Sequence, residues 1–246
     1  MVIRQKIKHR IKKLMLEPIR VFCLHHVSPV FDPELFFECD WISSDNFIRS
    51  IIQLRREYTF ISLPEAYERI KKDRIRVKKF AVLTFDDGYR SPVPCFHWLI
   101  ERDIPFTLFL NAKYLDGESY SPHVLRESKI KDQNEELSIK LRGLYLGFSD
   151  LLDLNNPLVN FASHGYEHRD ATRISGDEFR NQVRNNCMVL RRFPGFISYH
   201  AYTWGQHSDF TDRTLQEEGL IPVLMDGEMN YNDSCFIHRE LFPVVD

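Results

Sequence analysis

Short apolar runs alternate with helical stretches along this chain, and each run is followed by a residue able to hold a metal ion or move a proton. Residues 20–24 lead into His25-His26, 79–85 into Asp86-Asp87, 106–110 into Asn111 and 158–162 into His164 and His168. Residues 196–199, 220–225 and 234–237 lead into His200, Asp226 and His238. Strands alternating with helices imply a parallel sheet. A doubly wound open sheet gathers its ligands at one switch point, whereas a closed barrel presents them at the carboxyl ends of many strands. The distribution therefore predicts an α/β fold closed into a TIM-barrel-like barrel.

The helical stretches carry their own start signals. Ser62-Leu63-Pro64-Glu65 and Ser175-Gly176-Asp177-Glu178 are capping boxes, which predict helices over 63–72 and 175–190. Apolar spacing predicts further helices over 44–58, 92–102 and 209–218. Residues 79–85 (KFAVLTF) are apolar almost throughout, as a strand covered on both faces would be. Residues 116–157 are polar and show no clear strand, so they read as a long insertion. With no internal repeat or Gly/Ser-rich linker, the expectation is a basic segment over 1–18 and a single catalytic domain over 19–246.

No apolar run approaches the ~20 residues of a membrane helix. A net charge of -2 argues against a dedicated nucleic-acid binder. Five scattered cysteines without a CxxC pair suit reduced thiols rather than a disulfide framework or a cysteine zinc site. The first 20 residues hold seven basic residues against Glu17 alone, and Ile3, Ile7 and Ile11 alternate with the charges. That interruption does not fit a signal peptide, so a cytoplasmic location is expected. The segment reads first as a solvated basic helix or tail. Its alternative is peripheral contact of residues 1–16 with anionic lipid on the inner membrane face.

Two elements carry chemistry. Asp86-Asp87-Gly88 puts adjacent carboxylates where a buried strand emerges, and a divalent cation would offset their repulsion. Gly88 would let the chain turn so that both face one cavity. Ser163-His164-Gly165-Tyr166-Glu167-His168 spaces two imidazoles by four residues, suiting one metal ion. Two histidines and a carboxylate serve either a non-haem iron oxygenase or a metal-assisted hydrolase. A spare carboxylate, available as a general base, favours the hydrolase.

Residues 81–90 (AVLTFDDGYR) with 104–110 (IPFTLFL), and 163–170 (SHGYEHRD), resemble the first and second motifs of the polysaccharide deacetylases with a NodB homology domain, carbohydrate esterase family four. The opening 24–29 (LHHVSP) resembles the segment at the first strand of many such bacterial enzymes. The resemblance implies a distorted barrel of about seven beta/alpha units and a divalent metal, zinc first and cobalt, nickel or manganese as alternatives. It also implies removal of acetyl groups from an N-acetylated carbohydrate. By it, Asp86 is the base, Asp87, His164 and His168 are metal ligands, and His25, Tyr202 and Trp204 belong to the substrate groove.

The third motif departs from the family pattern. Residues 201–205 (AYTWG) resemble an Ala-Tyr-Pro-Tyr-Gly segment with Pro and Tyr replaced, although a backbone oxyanion donor at Trp204 does not depend on side-chain identity. Arg90 or Arg239 would steady the base if the fold brings it close. By the resemblance His238 is the general acid, with His200 and His207 as alternatives, although residues 239–241 (REL) also resemble a variant whose last strand bears no catalytic histidine. A catalytically silent sugar-binding relative and a hydrolase of a non-sugar amide remain open as rival readings.

Overall fold

A computed structural model describes residues 16–244 except 34, 36, 37, 74, 118, 120, 122–140, 142 and 233. Most of the basic segment, and with it the expected lipid contact, lies outside the described residues, as does the middle of the insertion. Among the described residues no helix is long and apolar enough to cross a membrane.

The strands in chain order are β1 (Ile19–Leu24), β2 (His26–Ser28), β3 (Trp41–Ser43), β4 (Thr59–Phe60), β5 (Phe80–Phe85), β6 (Phe106–Leu110), β7 (Val159–Ser163), β8 (Phe196–Ala201), β9 (Ile221–Met225) and β10 (Ile237–Leu241). Strands β5 to β10 pair in sequence, all parallel, and β1 pairs with both β10 and β5. The result is a closed seven-strand barrel. Strand β4 adds to the first half of β5, and β2 pairs with β3 in a separate ribbon.

The helices are α1 (Ser44–Leu54), α2 (Leu63–Lys72), α3 (Val93–Ile100), α4 (Phe148–Asp153), α5 (Gly176–Leu190) and α6 (Asp209–Glu217). Both expected capping serines act as such: Ser62 Oγ accepts from Glu65 N at 3.3 Å and Ser175 Oγ from Glu178 N at 3.2 Å. Helix α4 lies inside the stretch expected to be an insertion. The last strand begins at Ile237, where the sequence pattern ends it.

Side-chain alternation sorts the strands into two faces. Ile19, Val21, Phe80, Val82, Phe109, Ala162, Ala201, Val223 and Ile237 form an inner cluster, to which α2 adds Leu63, Ala66 and Ile70. Phe22, Leu83, Phe85, Phe106, Leu108 and Phe161 form the outer layer beneath the helices. The inner parity, continued past the apolar layers, decides which polar residues reach the barrel mouth.

Candidate active site

Counting by twos from Val82 through Thr84 brings Asp86 to the inner face. By the same alternation Asp87 would point outward, but φ is +68° at Asp87 and +74° at Gly88, and these left-handed residues swing the second carboxylate back over the mouth. Such a conformation costs a non-glycine residue about 1–2 kcal/mol. Asp87, His168 (φ +53°) and Trp204 (φ +59°) are three of the four non-glycine residues with positive φ among those described, so backbone strain concentrates here.

Asp87 Oδ1 lies 3.1 Å from His164 Nε2 and 2.9 Å from His168 Nε2, and all three side chains are buried. His164 Nδ1 lies 2.9 Å from the carbonyl of Ala201. A carbonyl only accepts, so Nδ1 carries the proton and Nε2 is left to face the carboxylate. Asp87 Oδ1 is buried and lacks a hydrogen-bond donor. Two imidazole nitrogens converging on that oxygen demand either a proton or a cation between them. Burial alone would lower the pKa of His164, but Asp86 and Asp87 raise it above the usual value; burial would raise Asp87, but the histidines take it well below. Two imidazoles and one carboxylate whose donor atoms all lie within 4.8 Å of one another fit a divalent cation.

The histidine loop is braced from beneath. Asn111 Nδ2 donates to the carbonyls of His164 and Gly165 at 2.6 and 2.8 Å. Asn186 donates to Leu110 O and Ser163 Oγ and accepts from Ala112 N. Gly165 adopts φ +79°, in the left-handed region that favours glycine, which accounts for a glycine at this position. Tyr89, stacked on Tyr145, is buried, and burial together with the charge of Asp87 holds its hydroxyl well above the usual phenol pKa.

Arg239 is the partner of the other carboxylate, Asp86. It is 1% exposed and grips both oxygens of Asp86, at 2.6 and 2.8 Å. It also donates to Thr84 Oγ1 at 3.1 Å. Burial alone would raise the pKa of Asp86, but the charges of Arg239 and His164 reverse this and hold it at about 2. Arg90 instead pairs with Asp150.

The histidines separate clearly. Leu24 pairs with Phe85 and its carbonyl accepts from Asp86 N, so His25 stands beside Asp86. A ligand atom of His25, one of Asp86 and the Cys23 sulfur lie within 4.8 Å of one another. His238 is not brought into this group. Its neighbour Arg239 takes the inward direction, and His238 Nδ1 lies 2.8 Å from Asp226 Oδ2 on the other face of β10. His200 is buried against Ser163 Oγ at 2.9 Å and is pushed down to about 3 by burial and by His164, which makes it a neutral structural group. His207 sits by Asp212.

Tyr202, expected in the substrate groove, is 2% exposed, and its hydroxyl donates to Asp212 Oδ1 at 2.7 Å, so it supports the loop from below. Trp204 is half exposed and meets the His168 ring edge-on at 5.1 Å. Beside them a cleft of about 850 Å³ is lined by Glu167, His168, Arg169, Asp170, Trp204 and Gln206 among others. Sequence reasoning missed the Asn111 and Asn186 braces, the Tyr89 contact and the Cys23 neighbour. Inner parity alone would have found Cys23, two residues before His25.

The family model described as polysaccharide deacetylase matches residues 73–221. Among solved structures, the chain is similar to IcaB from Ammonifex degensii, at 22% identity and a TM-score of 0.69, covering 92% of this chain and 91% of that one. It is similar to the Streptococcus pyogenes deacetylase PplD in complex with acetate, at 18% identity and a TM-score of 0.73, covering 93% and 94%. The BpsB deacetylase domain from Bordetella bronchiseptica matches at 20% identity and a TM-score of 0.67, covering 91% and 95%. No curated protein sequence matches the chain significantly.

Proposed function

Because the chain belongs to the polysaccharide deacetylase family, we propose that it hydrolyses the acetamide of an N-acetylated sugar, using a divalent cation held by Asp87, His164 and His168. The observation that carries this reading is the division of labour between adjacent carboxylates. Asp87 faces two histidines, whereas Asp86 is gripped by Arg239 and left to act on water.

A cation held by Asp87, His164 and His168 would supply Lewis acidity toward the acetyl oxygen and the attacking water, and zinc would suit the two nitrogens and one oxygen. The residues of the chain do the rest. Asp86, kept ionised and aimed by Arg239, takes a proton from the water that attacks the acetyl carbon. The backbone N–H of Trp204 is assigned to the oxyanion that results, and the Trp204 ring walls the cleft that receives the sugar. The carbon–nitrogen bond then breaks, the departing amine takes a proton, and acetate and the free amino sugar leave. His25 is the donor of that proton, replacing His238, because it stands beside Asp86 whereas His238 is turned to Asp226.

The test is acetate release by the metal-loaded chain from N-acetylglucosamine oligomers, from a nucleotide-linked N-acetyl sugar and from an acetyl-lysine peptide. Release from the sugars and not from the peptide is expected. Release from the peptide alone would replace the sugar with a non-sugar amide, and metal retention without any release would make the chain a binding protein.

A further inference from the structure

The inner wall of the barrel holds a second cluster of metal-capable atoms, in which the deacetylation reading uses Asp86 and His25 and leaves Cys23 without a role. Cys23, on the last inward position of β1, is 3% exposed and directs its sulfur to Asp86 Oδ2 at 3.5 Å. His25 follows on the same face, half-buried at the strand end, and completes a group whose donor atoms all lie within 4.8 Å. In a tetrahedral zinc site a thiolate sulfur and a carboxylate oxygen stand about 3.5 Å apart, given bonds of about 2.3 and 2.0 Å. The Cys23–Asp86 pair already has that separation, and a turn of the more exposed His25 ring supplies the third donor.

We propose that Cys23, His25 and Asp86 form a second cation site, selective for a thiophilic divalent ion such as zinc or cadmium, and that filling it switches off hydrolysis. The selectivity follows from the donors. The Asp87 cluster offers nitrogen and oxygen alone, whereas the second site adds a soft sulfur that favours zinc and cadmium over manganese or magnesium. The thiol proton passes to solvent as the cation binds, and no redox change is involved. Burial and the nearby carboxylates hold the Cys23 thiol well above its usual pKa, opposed in part by the Arg239 guanidinium, which also repels the cation, so zinc fills this site at higher free concentrations than the first. Inhibition follows because the lone pairs of Asp86 and His25 are then engaged. That arm rests on the roles proposed above for these two residues, and the binding arm does not.

The experiment uses the full chain with the exposed Cys39 and Cys235 replaced by serine, titrated with cadmium. Two equivalents are expected to bind, with a thiolate-to-cadmium charge-transfer band in the near ultraviolet. The further Cys23→Ser change should leave one equivalent and no band. His25→Ala should weaken the thiolate-linked equivalent by about tenfold or more, through loss of one ligand. A single equivalent in both chains, or a band that survives Cys23→Ser, overturns the site. In parallel, excess zinc should suppress acetate release in the parent and not in Cys23→Ser. A cadmium band without suppression by zinc keeps the site and overturns the switch. A chain that shows the band on titration but, loaded with a single equivalent of metal and free of excess zinc, releases no acetate from any sugar would instead overturn the deacetylase reading.

Discussion

Arg239 and His238 are neighbours in sequence and opposites in role. Arg239 is buried, paired and within reach of the base, so Arg239→Met should strand the Asp86 carboxylate and cost about 3–5 kcal/mol, measured by urea unfolding, with loss of turnover. His25→Ala should lower kcat by about 10²-fold or more if it supplies the proton, whereas His238→Ala should leave kcat near that of the wild type. Equal losses in the two variants would return His238 to the reaction. The convergence of Asp86, Asp87, His164 and His168 was legible because they form compact motifs next to strongly apolar runs. The direction of His238 was not, because it depends on strand register. The expected last strand ended at residue 237, the observed one begins there, and a shift of one residue exchanges inward for outward positions.

At the level of elements, the apolar strands and capped helices were readable from pattern, and the irregular backbone at their ends was not. Strand β4 has two residues and β2 and β3 have three each, too few for a period to show. The turn itself was expected from Gly88, but the left-handed backbone at Asp87 has no mark in the sequence. A Cβ at Gly88 would come within 2.9 Å of Leu110 Cδ2, in addition to the strain of φ +74°, whereas one at Gly165 would meet nothing within 4 Å. Gly165→Ala should therefore cost about 1–2 kcal/mol from backbone strain alone. Gly88→Ala should cost more and weaken metal binding as the Asp87 turn shifts. Unfolding and chelator-competition titrations of the two variants check the order, and a larger effect at Gly165 would contradict it.

For the molecule as a whole, the barrel places charged groups where water would otherwise compete for them, which ties stability to pH. Asp86 binds its proton less readily in the folded chain, at about 2, than an ordinary aspartate does at 3.8. Its contribution is thus complete above about pH 4 and is lost as pH falls through about 2. The stability difference between wild type and Asp86→Asn, taken without metal, should shrink by about 2 kcal/mol over that range; a difference independent of pH would mean that the Arg239 pair does not hold. The central claim is that one carboxylate holds the metal while its neighbour moves the proton. Its most direct test is metal content and acetate release, measured side by side in purified wild type and Asp86→Asn. The expected result is equal metal in both and a fall in release of about 10²-fold or more in the variant. Metal lost along with activity, or activity retained, would contradict the division between the two carboxylates.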